Sequence, residues 1–155
     1  MTEQKATLLQ QWTYCMTGAD WSYFVDSDKS TIVLFANGAV ACLKIQMMVD
    51  EDTQRVVLLL PFEMLCPEKY RNTMAEYCCH VNSVISIGFM SVDMRDGEVR
   101  FRHSVDIEGT HPTPKFVDNF IKAAIGVGHR YYKAIHSIMF GYSLERAIAE
   151  EQNND

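Results

Sequence analysis

The sequence predicts an α+β fold, an antiparallel sheet of about five strands packed with helices in the order α-βββ-α-ββ-α-α. Three observations carry this. Apolar residues alternate with polar ones over residues 40–49 and 98–107, the period of a strand with one covered face. Apolar residues recur at steps of three and four over residues 3–17 and 114–139, the period of a helix. The turn pairs Asn37-Gly38 and Asp96-Gly97 join neighbouring strands too closely for parallel crossovers.

Taken in order, Leu8, Leu9, Trp12, Cys15 and Met16 form the stripe of a first helix over 3–17, which Gly18 stops. Residues 21–25 are a strand or an extended lead-in. A short apolar run at 31–36 reaches Asn37-Gly38, read as a tight hairpin turn. The strand at 40–49 turns Ala41, Leu43, Ile45, Met47 and Val49 one way and Lys44 and Gln46 the other, before a polar turn at 50–53. Residues 55–60 are apolar on both faces, so this strand is central or covered on both sides, and Pro61 ends it.

Pro67 and Glu68 mark the first turn of a second helix, whose stripe of Tyr70, Met74, Tyr77, Cys78 and Val81 runs to about Asn82. Strands at 85–94 and 98–107 follow, joined at Asp96-Gly97; Val99, Phe101, His103, Val105 and Ile107 share the covered face of the second. Thr113-Pro114 caps a long helix ended by Gly141, Ser143 caps a short helix at 144–150, and a polar tail begins at about 151.

Composition narrows the function classes. With 155 residues, 48% of them apolar, residues 1–155 read as one domain with a core that needs no disulfides. A net charge of −6 and a pI near 5.3 speak against nucleic acid, because phosphate recognition requires clustered Lys and Arg. The absence of a long apolar run points to no membrane partner and a cytoplasmic location. The five cysteines lack zinc or redox spacing, and consecutive Cys78, Cys79 and His80 would point about 100° apart on a helix. No metal and no cofactor are therefore expected, with Cys78 in the core and Cys79 a bystander.

The long helix is apolar on two adjacent stripes. Phe116, Phe120, Ala124, Val127, Tyr131, Ile135 and Ile138 make one; Val117, Ile121, Ile125, Gly128, Tyr132 and Met139 make the other. The second stripe is the candidate interface, for a second subunit or a protein or peptide partner. No catalytic set is found: there is no Gly-x-Ser-x-Gly elbow, the carboxylates fall in turns, and His129 and His136 lie about 10 Å apart along the helix. Gly126-Val127-Gly128 sits inside a helix, which suits close packing or a kink and not a phosphate loop. An alternative reading, a small-molecule or metal sensor or a cryptic enzyme, places a pocket between sheet and long helix at His103, His129, Arg130 and Tyr131.

Leu60-Pro61, Pro67-Glu68, Asn82, Gly88-Phe89, Asp93, Gly97 and Arg100-Phe101-Arg102 occur in an order that resembles the YbjN family of bacterial sensory transduction regulators. Tyr131-Tyr132, Gly141-Tyr142-Ser143, Glu145, Ala147 and Ile148 extend the resemblance, which spans residues 20–150. It implies a fold like the type III secretion chaperones, an α+β unit that commonly dimerises, and a role in regulating stress, motility or surface behaviour. It supplies no catalytic residues. The chain departs from the pattern at Gly128-His129-Arg130, where the family implies an acidic residue near the tyrosines. The combined expectation is a non-enzymatic, homodimeric, chaperone-like regulatory or protein-binding protein.

Overall fold

The computed structural model describes residues 6–152. Helix α1 (Leu8–Gly18) begins at a reciprocal cap: the Thr7 hydroxyl accepts from Gln10 N at 3.2 Å and the Gln10 side chain accepts from Thr7 N at 3.0 Å. The Glu51 carboxylate accepts from Leu8 N and Leu9 N, both at 2.8 Å, so the positive end of α1 is fixed by an acid from a distant turn. The strands that follow are β1 (Phe24–Asp26), β2 (Thr31–Asn37), β3 (Cys42–Asp50) and β4 (Arg55–Leu65). Then come α2 (Arg71–Val84), β5 (Phe89–Val92), β6 (Glu98–Asp106), α3 (Pro114–Met139) and α4 (Leu144–Gln152). Every strand pairing is antiparallel, in the spatial order β1-β2-β3-β4-β6-β5.

The expected α+β arrangement is present, with six strands where about five were expected, because part of the 21–25 segment pairs as β1. Four local expectations are corrected. Pro61 does not end β4; β3 pairs with β4 only as far as Leu59, and beyond it β4 has an unpaired side where a missing N–H is tolerated. Residues 38–41 separate β2 from β3, so Asn37-Gly38 is not a two-residue turn. Gly38 instead makes room for His129, whose ring would lie 2.0 Å from a Cβ there. Residues 85–88 are not strand; Gly88 has φ +60° and sits so close to the Arg102 carbonyl that a Cβ would meet it at 2.4 Å. Pro67 precedes a single 3-10 turn at Glu68–Tyr70, and α2 proper starts after it.

All four helices pack on one face of the sheet. Inward residues Ile32, Leu34, Leu43, Ile45, Met47, Val56, Leu58, Leu60, Val99 and Phe101 are buried in the same cluster as Trp12, Met16, Met74, Tyr77, Val81 and Ala147 from the helices. Helix α3 is seated at its middle, where Gly128 lies against Leu43 and Leu60; a Cβ at Gly128 would fall 2.8 Å from a methyl of each. Helix α1 locks onto α3 through Trp12, edge-on to Phe116 and Phe120 with ring centroids 6.3 and 5.4 Å away. Helix α4 is tied down by two carboxylates, Glu150 accepting from Ser137 and Glu151 from Tyr77, with His80 Nε2 3.3 Å from the other Glu151 oxygen.

This arrangement corrects the expectation that the second α3 stripe faces a partner. Val117, Ile121, Gly128 and Met139 are buried within the chain, and only Ile125 and Tyr132 are partly exposed. The reason is that α1, α2 and α4 flank α3, so most of both stripes is covered without a second molecule.

Stability measurements on single variants check this packing. Gly126 is exposed mid-helix with nothing within 4 Å of a Cβ, so Gly126→Ala is expected to stabilise by about 1 kcal/mol. Gly128→Ala gains the same helix propensity but must displace two packed leucines, an overpacking term of about 1–3 kcal/mol, for a net loss of up to about 2 kcal/mol. Ile121→Asp buries an unpaired charge and is expected to lose about 4 kcal/mol or more. Urea midpoints that rank Gly128→Ala above Gly126→Ala would refute the seating of α3.

Candidate partner-binding surface

Because side chains alternate along a strand, covering one sheet face commits every second residue to the other. Strand register aligns these outward residues into rows across the sheet. One row crosses all six strands: Phe24 opposite Val33, Val33 opposite Gln46, Gln46 opposite Leu59, Leu59 opposite Arg102, and Arg102 opposite Phe89. The flanking row on one side runs Asp26, Thr31, Met48, Val57 and Ser104; the one on the other side contains Phe35 opposite Lys44, and Pro61 and Ser91 each opposite Arg100.

Among the described residues no helix covers these rows. Phe24 is 71% exposed, Phe35 55%, Phe89 46% and Met48 40%, while Val33, Val57 and Leu59 are half-buried only by their neighbours. Together they form an apolar field that runs across the face from β1 to β5, of the kind that marks an interaction site. The strand at 55–60 is therefore central, as expected, but covered on one side only.

The two edges of the sheet differ. At β5 the Asn82 side chain accepts from Met90 N at 2.7 Å and donates to Met90 O at 2.9 Å, occupying backbone groups that another strand would need. At the opposite side β1 pairs only with Thr31–Val33, and among the described residues Leu34–Asn37 of β2 have no strand beside them.

The four residues of the alternative pocket do not converge. Arg130 and Tyr131 line a shallow groove with Val84, Ile85, Ile87, Ala123 and Gly126, and the Arg130 guanidinium lies 5.7 Å from the Tyr131 ring centroid. His103 is elsewhere, stacked on Phe120 at 4.5 Å, and His129 faces the loop after β2. Burial holds the His103 imidazole below its ordinary pKa and pushes the Cys78 thiol up to about 12. Cys78 is a core residue and Cys79 is exposed. Among the described residues no group of three or more His, Cys, Asp or Glu is placed to hold a metal ion.

In the sequence only the strand at 55–60, apolar on both faces, carries a sign of this surface; Val33, Phe35 and Met48 are apolar as well, at positions that alternate with core residues.

Residues 14–137 match the model of the family described as "YbjN: Putative bacterial sensory transduction regulator". The chain belongs to the YbjN family. Among solved structures it is similar to YbjN from E. coli, with a TM-score of 0.58 at 11% identity over 84% of this chain and 88% of that one. It is similar to a chain of the ExsC–ExsE complex, with a TM-score of 0.56 at 8% identity over 81% and 91%. It is also similar to a chain of the HopA1–SchA chaperone–effector complex, with a TM-score of 0.53 at 11% identity over 75% and 85%. At such identities the likeness is one of fold, and it bears out the type III secretion chaperone-like architecture expected for the family. Against curated proteins the sequence has no match.

The depressed pKa of His103 gives a measurable consequence. As pH falls below 6.5 the unfolded chain takes up a proton at this position before the folded chain does, so stability present above 6.5 is lost on acidification. The urea midpoint of the wild type is expected to fall more steeply below pH 6.5 than that of His103→Leu; parallel slopes would contradict the burial of this ring.

Proposed function

We propose that this YbjN-family chain is a non-enzymatic, chaperone-like regulatory protein that holds a segment of another polypeptide on the uncovered face of its sheet. The observation that carries this is the apolar field left bare when all four helices pack on the opposite face. The fold supports it, since two of the similar structures are of complexes, one named as a chaperone–effector complex. A partner can reach the site in two ways known for sheets, by covering the face or by adding a strand at an edge. Asn82 disfavours strand addition at β5 and leaves the Leu34–Asn37 edge beside the exposed Phe35.

The protein works in this reading as a cytoplasmic homodimer, with the subunit contact at the two incompletely buried members of the α3 stripe, Ile125 and Tyr132. Among the described residues no helix is long and apolar enough to cross a membrane.

Position-specific cross-linking in cells tests the site. A photoreactive phenylalanine analogue placed at Phe35 or at Phe89 is expected to give a covalent adduct with another polypeptide, and at exposed Tyr14 on α1 to give none. Equal adducts at all three positions, or none on the sheet face, would sink the reading. Analogue at Ile125 is expected to join two copies of the chain; a monomer by sedimentation removes the dimer and leaves the sheet-face site standing.

A further inference from the structure

The apolar row on the open face is flanked unequally. Lys44 and Arg100 lie on the Phe35 side, with Arg102 inside the row, whereas Asp26 lies in the opposite flanking row and Asp50 and Asp106 pair across from Arg55 beyond it. Arg100 is engaged by Glu98 at 3.2 Å and Arg55 by Asp106 at 3.3 Å. Among the described residues Lys44 and Arg102 have no ion-pair partner. On a chain of net charge −6, these two cations beside exposed Phe35 and Phe89 and half-buried Leu59 select carboxylates on whatever covers them.

The geometry of the row selects a helix. Six strands about 4.8 Å apart make a row about 24 Å long, which a helix of about 16 residues spans at 1.5 Å per residue. A helical pitch of about 5.4 Å nearly matches the strand spacing, so apolar residues on successive turns fall over successive strands. An extended segment lying on the face would leave its own N–H and C=O groups without partners, because the sheet presents side chains there and no backbone; a helix pairs those groups internally. A segment added at the Leu34–Asn37 edge would find backbone partners but would not cover Leu59 or Phe89, which lie two or more strands away.

We propose that the occupant of the open face is an amphipathic α-helix of about 16 residues, laid across the strands, with carboxylates along the flank that meets Lys44 and Arg102. The inference rests on the face being the partner site. With the apolar stripe on Val33 and Leu59, the acidic flank belongs on the Lys44 side of the row, since Arg102 rises from the row itself and Asp26 lies on the other side.

Selection of random displayed peptides of about 18 residues on the purified protein tests this. The expected pool has apolar residues at helical spacing with Asp or Glu along one flank. Its members should bind the charge-reversed Lys44→Glu/Arg102→Glu protein at least tenfold more weakly, while circular dichroism and urea midpoint show that variant still folded. No enrichment, period-two alternation, or equal binding to both proteins would overturn the proposal. So would a wild-type dimer that the charge reversal separates, which would make the occupant a second copy. Phosphatidylglycerol vesicles that bind the wild type and not the variant would make it a bilayer. Adducts at Phe35 and Phe89 with a segment that is basic or extended would end the helix proposal alone; no adducts would end the partner site itself.

Discussion

The close seating of α3 at Gly128 is the constraint from which the other features follow. Without a side chain at this position the helix backbone comes down onto Leu43, near the start of β3, and Leu60, in the middle of β4. A long helix held that low presents apolar residues sideways as well as downward, and the lateral surfaces must be covered too. Helix α1 does so through Trp12 against Phe116 and Phe120, and α4 through Ala147 and the Ser137–Glu150 and Tyr77–Glu151 bonds. The helices thus compete for one face of the sheet, and none remains for the other.

A half-covered antiparallel sheet normally turns polar side chains to water. Here the outward rows contain Phe24, Val33, Phe35, Met48, Val57, Leu59 and Phe89, so the packing of the helical layer does not account for the composition of the strands. The core requires only the inward residues. The outward ones lie outside the core cluster, and Lys44 and Arg102, without an ion-pair partner among the described residues, share that face.

Elements with a strong period were legible in the sequence, and elements defined by distant partners were not. The alternation in β3 placed Leu43, Ile45, Met47 and Val49 inward, and the spacing in α3 identified its two stripes. The segment at 21–25 reads from sequence as either a strand or an extended lead-in, because the three residues of β1 carry too little pattern without β2 beside them. Pro61 was read as a stop because its tolerance depends on where β3 ends, a fact of the sheet and not of the local chain. The same limit explains the interface residues: Val117, Ile121 and Met139 are apolar for a reason visible in the sequence, but whether α1 and α4 or a second molecule answers it depends on contacts many residues away. The family resemblance carried the architecture further than the pattern did, and it contained no information about which sheet face stays bare.

The unequal edges of the sheet bear on what this protein can assemble into. Growth of a filament by edge pairing requires each subunit to offer two complementary borders, one to receive a strand and one to give it. With Asn82 bonded to both backbone groups of Met90, the β5 border is closed at that point, whereas Leu34–Asn37 at the other side has no strand beside it among the described residues. With β5 closed at Met90, the two outer borders of the sheet do not complement each other for strand exchange, which disfavours run-on polymerisation through that pair of borders.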